Sequence, residues 1–521
     1  MNKSHLAIIK YLLKQPADNR LDFDRQKRQI CNHLRLPAPD NTTLLKVYHQ
    51  LVKNQKNKTN PLILRWLKKR EVRTLSGVAP IAVLTKPYPC PGHCLYCPGE
   101  KGMPKSYLSN EPAVMRAVLT KFDPHTQVKV RLQALKQNGH HTDKCELIVM
   151  GGTWSYLPKN YQTWFIKRCF DAFNGRTAKT LAQAQEWNEK ALHRCIGLTL
   201  ETRPDYINPT EVRRWRELGA TRVELGVQHL DDKILKLNHR GHGVKETVAA
   251  TKLFKQAGFK ITYHLMPNLP GSTPTKDLAV FKKLFTSPDF QPDQIKIYPC
   301  VVTKDAPLFK LYKRGKYQPY SDKQLRDLLV KIKKIIPPYV RITRLIRDIP
   351  AESIVGGNKI SNLRQLLAAD PRTKCRCIRC REIKNTKFKI QNSKFKIQKY
   401  PASDGTEYFL SYELAKPDKL LAFLRLRLPN KNETNFLPEL QGAALIREIH
   451  TYGQMIPVGE KSVAAQHLGL GKKLILRAEK LALKNSFKKI AVIAGIGVRP
   501  YYAKLGYQPC GTYYCKQLTT R

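Results

Sequence analysis

Acidic residues are scarce in this sequence. It holds 40 Asp and Glu against 93 Lys and Arg, which leaves a formal net charge of +53 at pH 7. An imbalance of this size favours a polyanionic partner, and nucleic acid is the first candidate. A solvated basic surface that binds nothing is the alternative explanation.

Long apolar runs are also missing. The chain contains no stretch of about eighteen consecutive apolar residues, the length that a membrane-spanning helix needs. Its first residues, MNKSHLAIIKYLLKQ, lack the apolar core and the small-residue cleavage site of a secretory signal. We therefore expect a cytoplasmic protein with no membrane partner. Its 13 cysteines are then reduced, and the clustered ones are expected to bind metal.

The pattern along the chain predicts several folded units, because 521 residues exceed what one ordinary core organises. Residues 1–75 have the pattern of short basic helices, including LILRWLKKREVR (Leu62–Arg73), where apolar and basic residues recur at helical spacing. Residues 76–350 alternate apolar runs with longer amphipathic segments. Residues 351–400 hold clustered cysteines and a basic tandem, and residues 401–521 begin with an antiparallel-looking stretch.

The second of these units is predicted to be an α/β fold with a parallel sheet. Short apolar runs recur in it, each followed by an amphipathic segment, which is the pattern of strands connected by helices. The runs are residues 81–84, 146–150, 196–200, 222–227, 261–266 and 294–298. About six such units fit a partial or complete (β/α) barrel, whose chemistry lies at the C-terminal ends of its strands.

A cysteine loop follows the first apolar run. Cys90, Cys94 and Cys97 lie in KPYPCPGHCLYCPGE, with the spacing C-x3-C-x2-C. Three thiolates on a tight loop can bind three irons of a [4Fe-4S] cluster and leave the fourth iron open to a ligand's amine and carboxylate. Zinc is the alternative, although a zinc site usually recruits a fourth ligand through paired C-x2-C spacing.

Five further positions follow the next apolar runs. Gly151 and Gly152, in MGGTW, can bring bare backbone close to a ligand. Glu201 and Arg203 end the third run, and Gln228 ends the fourth. A structural ion pair between Glu201 and Arg203 is the alternative reading. Their place at the predicted barrel mouth favours recognition of ribose and carboxylate groups.

A second cysteine group lies where the predicted units join. Cys375, Cys377 and Cys380 form C-x-C-x2-C, which predicts a structural zinc site that is one ligand short. Cys300 is a candidate for the fourth ligand, and a histidine or water would serve equally. The tandem NTKFKIQ and NSKFKIQ (385–398) comes next, and we interpret it as a basic insertion that forms an exposed loop or hairpin.

The last unit carries a glycine turn. Gln466, Gly469 and Gly471 in QHLGLG match Q-x-x-G-x-G and open the helical segment KKLILRAEKLAL. Free backbone N–H groups at such a helix start can cradle a pyrophosphate, and Lys472 adds positive charge there. The turn follows REIHTYG and precedes IAVIAGIGVRPYYAKLGY, an order typical of the acetyltransferase fold.

Several of these segments together resemble a known family. The cysteine loop, MGGTW with the following LPKNYQTWFI, LTLETRPDY, LGVQHLDDKILKLNHRGH, LMPNLPGST and CRCIRCRE are similar to the catalytic subunit of Elongator. The resemblance covers nearly the whole chain and implies the single-chain archaeal and bacterial type. It implies an α/β protein in which a radical S-adenosylmethionine (SAM) barrel is fused to a Gcn5-related N-acetyltransferase-like domain, after a basic helical region that binds tRNA.

The resemblance also implies an activity. The family forms 5-carboxymethyluridine at the wobble position, uridine 34, of tRNA, so the implied cofactors are a [4Fe-4S] cluster, SAM, acetyl-CoA and zinc. The implied partner is the anticodon stem-loop of tRNA. By resemblance, acetyl-CoA would contact Lys144, Glu448, Ile449, His450, Thr451, Leu470, Gly471, Lys472 and Tyr502. Lys144, Tyr501 and Tyr502 are the implied catalytic residues, and ordinary core packing is the alternative for the two tyrosines.

Two other functions stay open on the sequence. A protein lysine acetyltransferase would use the last unit directly, but it would need neither the cysteine loop nor the basic helices. A non-enzymatic tRNA-binding scaffold would keep the charge, but it would not need all three loop cysteines. The KFKIQ tandem and the segment GEKSVAAQ depart from the family pattern, which leaves the shape of the CoA entrance open.

Overall fold

The structure is a computed structural model that describes residues 2–15, 17–55, 60–67, 77–383, 392–430, 432–452 and 469–519. These residues form an N-terminal group of helices and two seven-stranded sheets. Over the same residues, the structure has no helix with the length and apolarity to cross a membrane.

The N-terminal residues form the short helices expected from the sequence. Their bounds are α1 (Lys3–Lys14), α2 (Arg20–His33), α3 (Asn41–Gln55) and α4 (Pro61–Leu67). Side chains such as Ile8, Phe23 and Leu44 are almost completely buried and form a core separate from that of the sheets. This group therefore has its own apolar core. The part of LILRWLKKREVR after Leu67 lies outside the described residues.

The first sheet is parallel throughout, and its strands are paired in the order of the chain. They are β1 (Ala79–Leu84), β2 (Lys144–Met150), β3 (Arg194–Thr202), β4 (Arg222–Gln228), β5 (Lys260–Leu265), β6 (Gln294–Ile297) and β7 (Arg341–Arg344). Each of the six predicted runs contributes a strand. The seventh was not predicted, because its sequence RITR contains no apolar run. Among the described strands β1 and β7 are not paired, so the barrel is partial.

Helices connect these strands, as the parallel pairing requires. They are α5 (Pro112–Leu119), α6 (Pro124–Gln137), α7 (Lys159–Asn174), α8 (Leu181–Asn188), α9 (Pro209–Glu217), α10 (Asp232–Leu237), α11 (Val244–Gln256), α12 (Pro274–Thr286), α13 (Leu308–Lys313) and α14 (Asp322–Ile335). Buried aromatic rings fix some of them: the Phe254 ring of α11 lies 5.4 Å from that of Trp215 and 5.0 Å from that of Phe259. Two short helices, α15 (Leu363–Ala369) and α16 (Ile378–Arg381), lead to the second sheet.

The second sheet is mixed, with the strand order β13-β14-β12-β11-β10-β9-β8. Its strands are β8 (Ser393–Ala402), β9 (Gly405–Leu414), β10 (Lys419–Pro429), β11 (Ala443–Thr451), β12 (Lys489–Val492), β13 (Gln508–Cys510) and β14 (Tyr513–Gln517), and its helices are α17 (Leu470–Lys484) and α18 (Arg499–Ala503). Strands β8 and β9 form a hairpin. The second copy of the tandem begins at Asn392 and continues into this edge strand. The first copy lies outside the described residues.

The two sheets pack closely on each other. A Cβ atom added to Gly495 would lie 2.3 Å from the carbonyl oxygen of Ile196 in β3, so only glycine permits this approach. Charged groups are buried at the same junction. Arg447 of β11 donates to the Asp293 carboxylate, with its Nη1 3.0 Å from Oδ1, and Arg425 Nη1 of β10 lies 3.5 Å from the same oxygen. We call Asp293, Arg425 and Arg447 the interdomain ion cluster.

Candidate active site

The cysteine loop connects β1 to α5 and is held by neighbouring loops. Leu95 N donates to Asn238 O at 3.2 Å, and Leu308 N donates to Leu95 O at 2.8 Å. Cys94 is buried, while Cys90 and Cys97 are partly buried. Burial raises the pKa of the Cys97 thiol to about 11. A metal ion is therefore needed to hold this residue as a thiolate at neutral pH.

A buried cation lies against the loop. Arg240 Nη1 donates to Cys94 Sγ at 3.5 Å, and the Arg240 side chain is almost fully buried. Burial alone would lower the pKa of Arg240, but the Tyr96 hydroxyl and the Cys94 thiol raise it above its ordinary value. A buried guanidinium needs an anionic neighbour. Three thiolates that hold an iron–sulfur cluster satisfy this requirement, so the residues present fit the predicted group.

The predicted residues of the next two strand ends lie at one edge of the sheet. Gly151 and Gly152 follow β2 with φ of +132° and +100°, a backbone region that favours glycine. Glu201 lies near the end of β3, where its Oε2 accepts a hydrogen bond from Tyr107 Oη at 2.9 Å and its Oε1 lies 3.6 Å from His264 Nδ1. These groups therefore lie at the C-terminal edge of the sheet, as predicted.

Gln228 ends β4 with a positive φ of 69°. Its side-chain oxygen is buried and has no hydrogen-bond partner within the described part of the chain. A buried acceptor without a partner is costly. Gln228 also lines the same cavity as Glu201, so this oxygen is available to a donor on a bound ligand.

Arg203 does not pair with Glu201. Its Nε and Nη2 donate to the two carboxylate oxygens of Asp205 at 3.0 and 2.7 Å. A Cβ atom on Gly92, in the cysteine loop, would lie 2.2 Å from Arg203 Nη1. Arg203 therefore packs against the loop that carries the predicted cluster, and the Glu201–Arg203 ion pair is not formed.

The strand ends surround a first cavity of about 500 Å³, which we call the barrel cavity. Glu201 and Gln228 line it together with Tyr96 of the cysteine loop. Farther inside, Glu224 accepts a hydrogen bond from His264 Nε2 at 2.8 Å and forms an ion pair with Lys296. Burial by itself would raise the pKa of Glu224, but Lys296 and His264 hold it well below its usual range. The carboxylate is therefore ionised at neutral pH.

A second cavity of about 620 Å³ lies between the two sheets, and we call it the interdomain cavity. It brings together residues that are more than 300 positions apart in the sequence. The predicted residues that line it are Lys144, Glu448, Ile449, His450, Thr451, Gly469, Gly471, Lys472, Tyr501 and Tyr502. Leu470 is the first residue of α17 and is buried, and Gln466 lies outside the described residues.

The three residues implied to be catalytic differ in their surroundings. Burial lowers the pKa of Lys144 and raises the pKa of Tyr501 and of Tyr502. Tyr501 is 41% exposed, whereas Tyr502 is 5% exposed and packs with its ring 5.9 Å from that of Tyr507. Tyr502 thus combines core packing with a place in the cavity wall.

The two cavities share a wall that the sequence did not reveal. Val78, Arg222, Lys260, Glu448 and His450 line both of them. Lys260 forms an ion pair with Glu448, whose Oε2 also accepts from Arg425 Nε at 2.9 Å. Burial lowers the pKa of Lys260 to about 8 and that of His450 to about 3. At neutral pH this wall therefore contains a neutral imidazole beside an ion pair.

The second cysteine group forms a compact set of thiols. The Sγ atoms of Cys375, Cys377 and Cys380 all lie within 4.8 Å of one another, which suits one metal ion. The structure does not bring Cys300 to this set. Its side chain is buried in a different apolar cluster with Ile234 and other side chains. A fourth ligand from Cys300 is therefore excluded, because burial in that cluster keeps its thiol away.

Comparisons with known proteins agree with this geometry. A model of the Radical SAM superfamily matches residues 88–283, and one of the Radical_SAM C-terminal domain matches residues 292–374. A tRNA uridine(34) acetyltransferase of Methanocaldococcus infernus is 45% identical, over 98% of this chain and 99% of its own length. Elongator complex protein 3 of Danio rerio is 38% identical, over 87% of this chain and 86% of its own length.

A solved structure shares the fold. It is described as archaeal Methanocaldococcus infernus Elp3 with an N-terminus deletion, and it superposes with a TM-score of 0.74 at 42% identity. The match covers 85% of this chain and 100% of the solved chain.

Proposed function

The chain belongs to the family of the tRNA uridine(34) acetyltransferases and Elongator complex protein 3, and we propose from this that it modifies uridine 34 of tRNA. It is a radical SAM enzyme, whose chemistry uses SAM and a [4Fe-4S] cluster. The observation that carries the proposal is the wall shared by the barrel cavity and the interdomain cavity. A group held in one cavity is separated from the other by a single layer of side chains.

Cys90, Cys94 and Cys97 would hold the cluster at the mouth of the barrel cavity. When bound, the cluster and SAM supply a carbon-centred radical that can remove hydrogen from an unactivated methyl group. Glu201 and the free oxygen of Gln228 line the cavity beside the loop and would accept hydrogen bonds from SAM. A Cβ atom on Gly151 would overlap Thr85, so glycine here lets the turn after β2 pack on the end of β1. Buried Arg240 would offset the negative charge of the thiolates.

Acetyl-CoA would occupy the interdomain cavity. Helix α17 begins at this cavity after Gly469, and within the described part of the chain no side chain at the N-cap binds its first backbone N–H groups, which would bind a pyrophosphate. Lys472 of α17 and Lys144 of β2 add positive charge from opposite sides of this cavity. Tyr501 and Tyr502, next to the helix start, would fix the acyl end.

The product that fits this arrangement is 5-carboxymethyluridine. The radical would take one hydrogen from the acetyl methyl group, and the methyl carbon would bond to C5 of the uridine. Loss of the C5 proton and of one electron, equal to the electron spent on SAM cleavage, would restore the double bond, and hydrolysis of the thioester would release CoA. A base must leave its stack to reach such an enclosed site, which an anticodon loop permits. The ion pair of Lys260 with Glu448 lies in the wall shared by the two cavities, beside the place where the acetyl group would meet the radical.

A zinc ion on Cys375, Cys377 and Cys380 would have a structural role. The segment that carries these thiols is bonded to both sheets: Ile378 N donates to Val340 O at 2.9 Å, and Ile383 N donates to Leu420 O at 3.1 Å. A metal ion at this point would fix the junction. Water would complete the tetrahedral set.

A protein lysine acetyltransferase explains less of the structure. Such an enzyme needs the interdomain cavity, but it needs neither the cysteine loop nor the shared wall. A tRNA-binding scaffold explains the charge, but it does not need a free helix start that lines a cavity. A single experiment with labelled acetyl-CoA distinguishes both alternatives from the proposed function.

The test follows labelled acetyl-CoA in anaerobic reactions of the reconstituted enzyme with SAM and a reductant, with and without tRNA. We expect consumption of acetyl-CoA to require tRNA, and the label to appear on uridine and not on protein lysine. Cys94→Ala should lose iron and label transfer. Cys31→Ala, which removes a buried thiol from the N-terminal core, is the matched control and should retain both. Lysine acetylation at a comparable rate without tRNA would reject the proposal.

A further inference from the structure

Exposed aromatic side chains are concentrated beside the cysteine loop. Among the described residues the most exposed aromatic side chains are Trp164 (45%), Tyr156 (42%), Tyr501 (41%) and Tyr88 (37%). Tyr501 lines the interdomain cavity. The other three lie near the C-terminal ends of β1 and β2.

Three tyrosines form a continuous aromatic surface at these strand ends. Tyr88 follows β1, Tyr156 follows β2 and Tyr206 follows β3. The Tyr88 and Tyr156 rings lie 6.0 Å apart, and the Tyr156 and Tyr206 rings lie 5.7 Å apart, both in edge-to-face contact. We call these three residues the tyrosine platform. Edge-to-face contact fixes the rings against each other and leaves ring faces open to a ligand.

The platform borders the cysteine loop at one end. Tyr88 lies two residues before Cys90. The Tyr206 ring lies 5.8 Å from the guanidinium carbon of Arg203, which itself packs against Gly92 of the loop. A molecule bound on the platform would therefore lie beside the loop that carries the predicted cluster.

Positive charge accompanies the aromatic surface. Lys86, just before Tyr88, is exposed, and its Nζ lies 5.1 Å from the centre of the Tyr161 ring. Tyr161 in turn contacts Trp164, with 5.6 Å between the ring centroids. Aromatic faces interleaved with cations bind single-stranded nucleic acid, because bases stack on the rings and phosphates pair with the cations. The net charge of +53 favours the same partner.

We propose that Tyr88, Tyr156 and Tyr206 stack an unpaired base that neighbours the target nucleotide in a single-stranded RNA loop, and that Lys86 contacts its phosphate. The inference rests on the proposed function for the identity of the RNA. The inference adds to the proposed function the residues that hold the RNA loop open beside the cluster. A base kept on the platform cannot restack on the target uridine, so the uridine remains free to enter the barrel cavity.

The test uses the full-length holoenzyme and an anticodon stem-loop RNA with 2-aminopurine next to the target uridine. Stacking on an aromatic ring quenches 2-aminopurine fluorescence. We expect wild-type protein to quench it, and Tyr156→Ala to bind the RNA about 5-fold to 100-fold more weakly with the quenching lost. Tyr156→Phe keeps the ring and should bind within about twofold of the wild type.

Two controls separate the platform from folding and from general surface effects. Leu192→Ala removes a side chain that is 74% exposed, just before β3 and therefore at the opposite end of the sheet, and should not change the affinity. Iron content and melting temperature show whether Tyr156→Ala is folded. If it is not, Tyr88→Ala provides the same test at an exposed position.

The outcomes are distinct. If wild type binds the RNA and the alanine variants bind equally well with quenching intact, the platform does not stack a base, and its exposed rings serve another partner such as a protein. That result rejects the inference and leaves the proposed function standing. If wild type does not bind the stem-loop at all, the proposed function fails and the inference fails with it.

Discussion

The neutral His450 in the shared wall predicts a pH dependence of stability. Its pKa in the folded chain is about 3, whereas a histidine in an unfolded chain titrates near 6.5. Between these values the unfolded chain binds one proton more, so this residue makes the free energy of unfolding fall as the pH falls below about 6.5. We expect His450→Asn to lose about 2 kcal/mol less stability than the wild type between pH 7 and pH 5.

Urea denaturation of the anaerobic holoenzyme at the two pH values measures this difference. His229→Asn is not a suitable control, because His229 lies 3.4 Å from Asp277, a partner that His450 does not share. The exposed His33, at the end of α2 and away from the cysteine loop, is suitable, since its replacement by Asn should leave the pH dependence as in the wild type. Equal losses in the wild type and in His450→Asn would show that His450 does not stay neutral.

Some pairings between charged side chains could not be predicted from the sequence. Lys260 and Glu448 form an ion pair although they lie 188 positions apart. Each is an ordinary charged residue in its own segment, and only the packing of one sheet on the other brings them together. Arg203 was assigned correctly to the barrel mouth, but its partner is Asp205, which lies as close to it in sequence as Glu201 does. Spacing alone cannot choose between two carboxylates.

The start of helix α17 predicts a selective loss of acetyl-CoA binding. A Cβ atom on Gly471 would lie 3.3 Å from the Tyr501 hydroxyl oxygen, so any side chain there enters the interdomain cavity. Gly471→Glu adds a carboxylate where the pyrophosphate is proposed to bind. We expect the affinity for CoA to fall at least about tenfold, which corresponds to about 1.4 kcal/mol. Isothermal titration calorimetry with CoA measures the change.

A matched variant lies on the same helix. Leu476 is 46% exposed and is not among the residues that line either cavity, so Leu476→Glu introduces the same charge on α17 outside the cavity. It should bind CoA like the wild type. If both variants weaken CoA binding equally, the loss comes from net charge and the proposed pyrophosphate site is wrong.

The short segment with Cys377 and α16 predicts a metal-dependent junction. We expect about one zinc per chain, and we expect its removal by a strong chelator to make the connection between the sheets sensitive to protease. Cys377→Ser should reproduce the effect of the chelator. Cys510→Ser removes a thiol from the C-terminal hairpin and should keep the metal. Unchanged zinc content in Cys377→Ser would refute the site.

Elements with a strong apolar pattern were predictable, and elements without one were not. The runs that became β1 to β6 are hydrophobic because both faces of a parallel sheet are covered. Strand β7 reads RITR and has no such run, because its arginines pair with Glu382 and Asp348 at the edge of the sheet. Strand β8 was interpreted as an insertion that forms a loop or hairpin, and the hairpin is the alternative that the structure adopts.

The charge of the whole molecule predicts a steep salt dependence of RNA binding. A protein that neutralises several phosphates releases their counterions, so its affinity falls by roughly a thousandfold or more between about 50 and 200 mM salt. Lys68, Lys69 and Arg70 belong to LILRWLKKREVR, whose helical spacing of basic residues suits contact with phosphates, and they lie outside the described residues. Replacement of all three by Ala should weaken tRNA binding and reduce the slope of log K against log salt.

Filter binding at several salt concentrations measures this slope. Three exposed lysines of α14 (Lys323, Lys331 and Lys334) provide a variant with the same loss of charge at another place. An equal loss of slope in both triple variants would show that a general field, and not contact by the N-terminal region, controls binding.

The interdomain ion cluster has a consequence for the order in which the protein is made. Asp293 leaves the ribosome 132 residues before Arg425 and 154 residues before Arg447. Until these arginines are synthesised, the Asp293 carboxylate pairs with Lys255 and accepts a hydrogen bond from Ile261 N, which offset only part of the loss of its hydration on burial. We expect the parallel sheet of the nascent chain to stay incompletely folded until the second sheet has been synthesised. Ribosome-bound chains that end before residue 425 should then be cut by protease near β6, and chains long enough to expose Arg447 should resist.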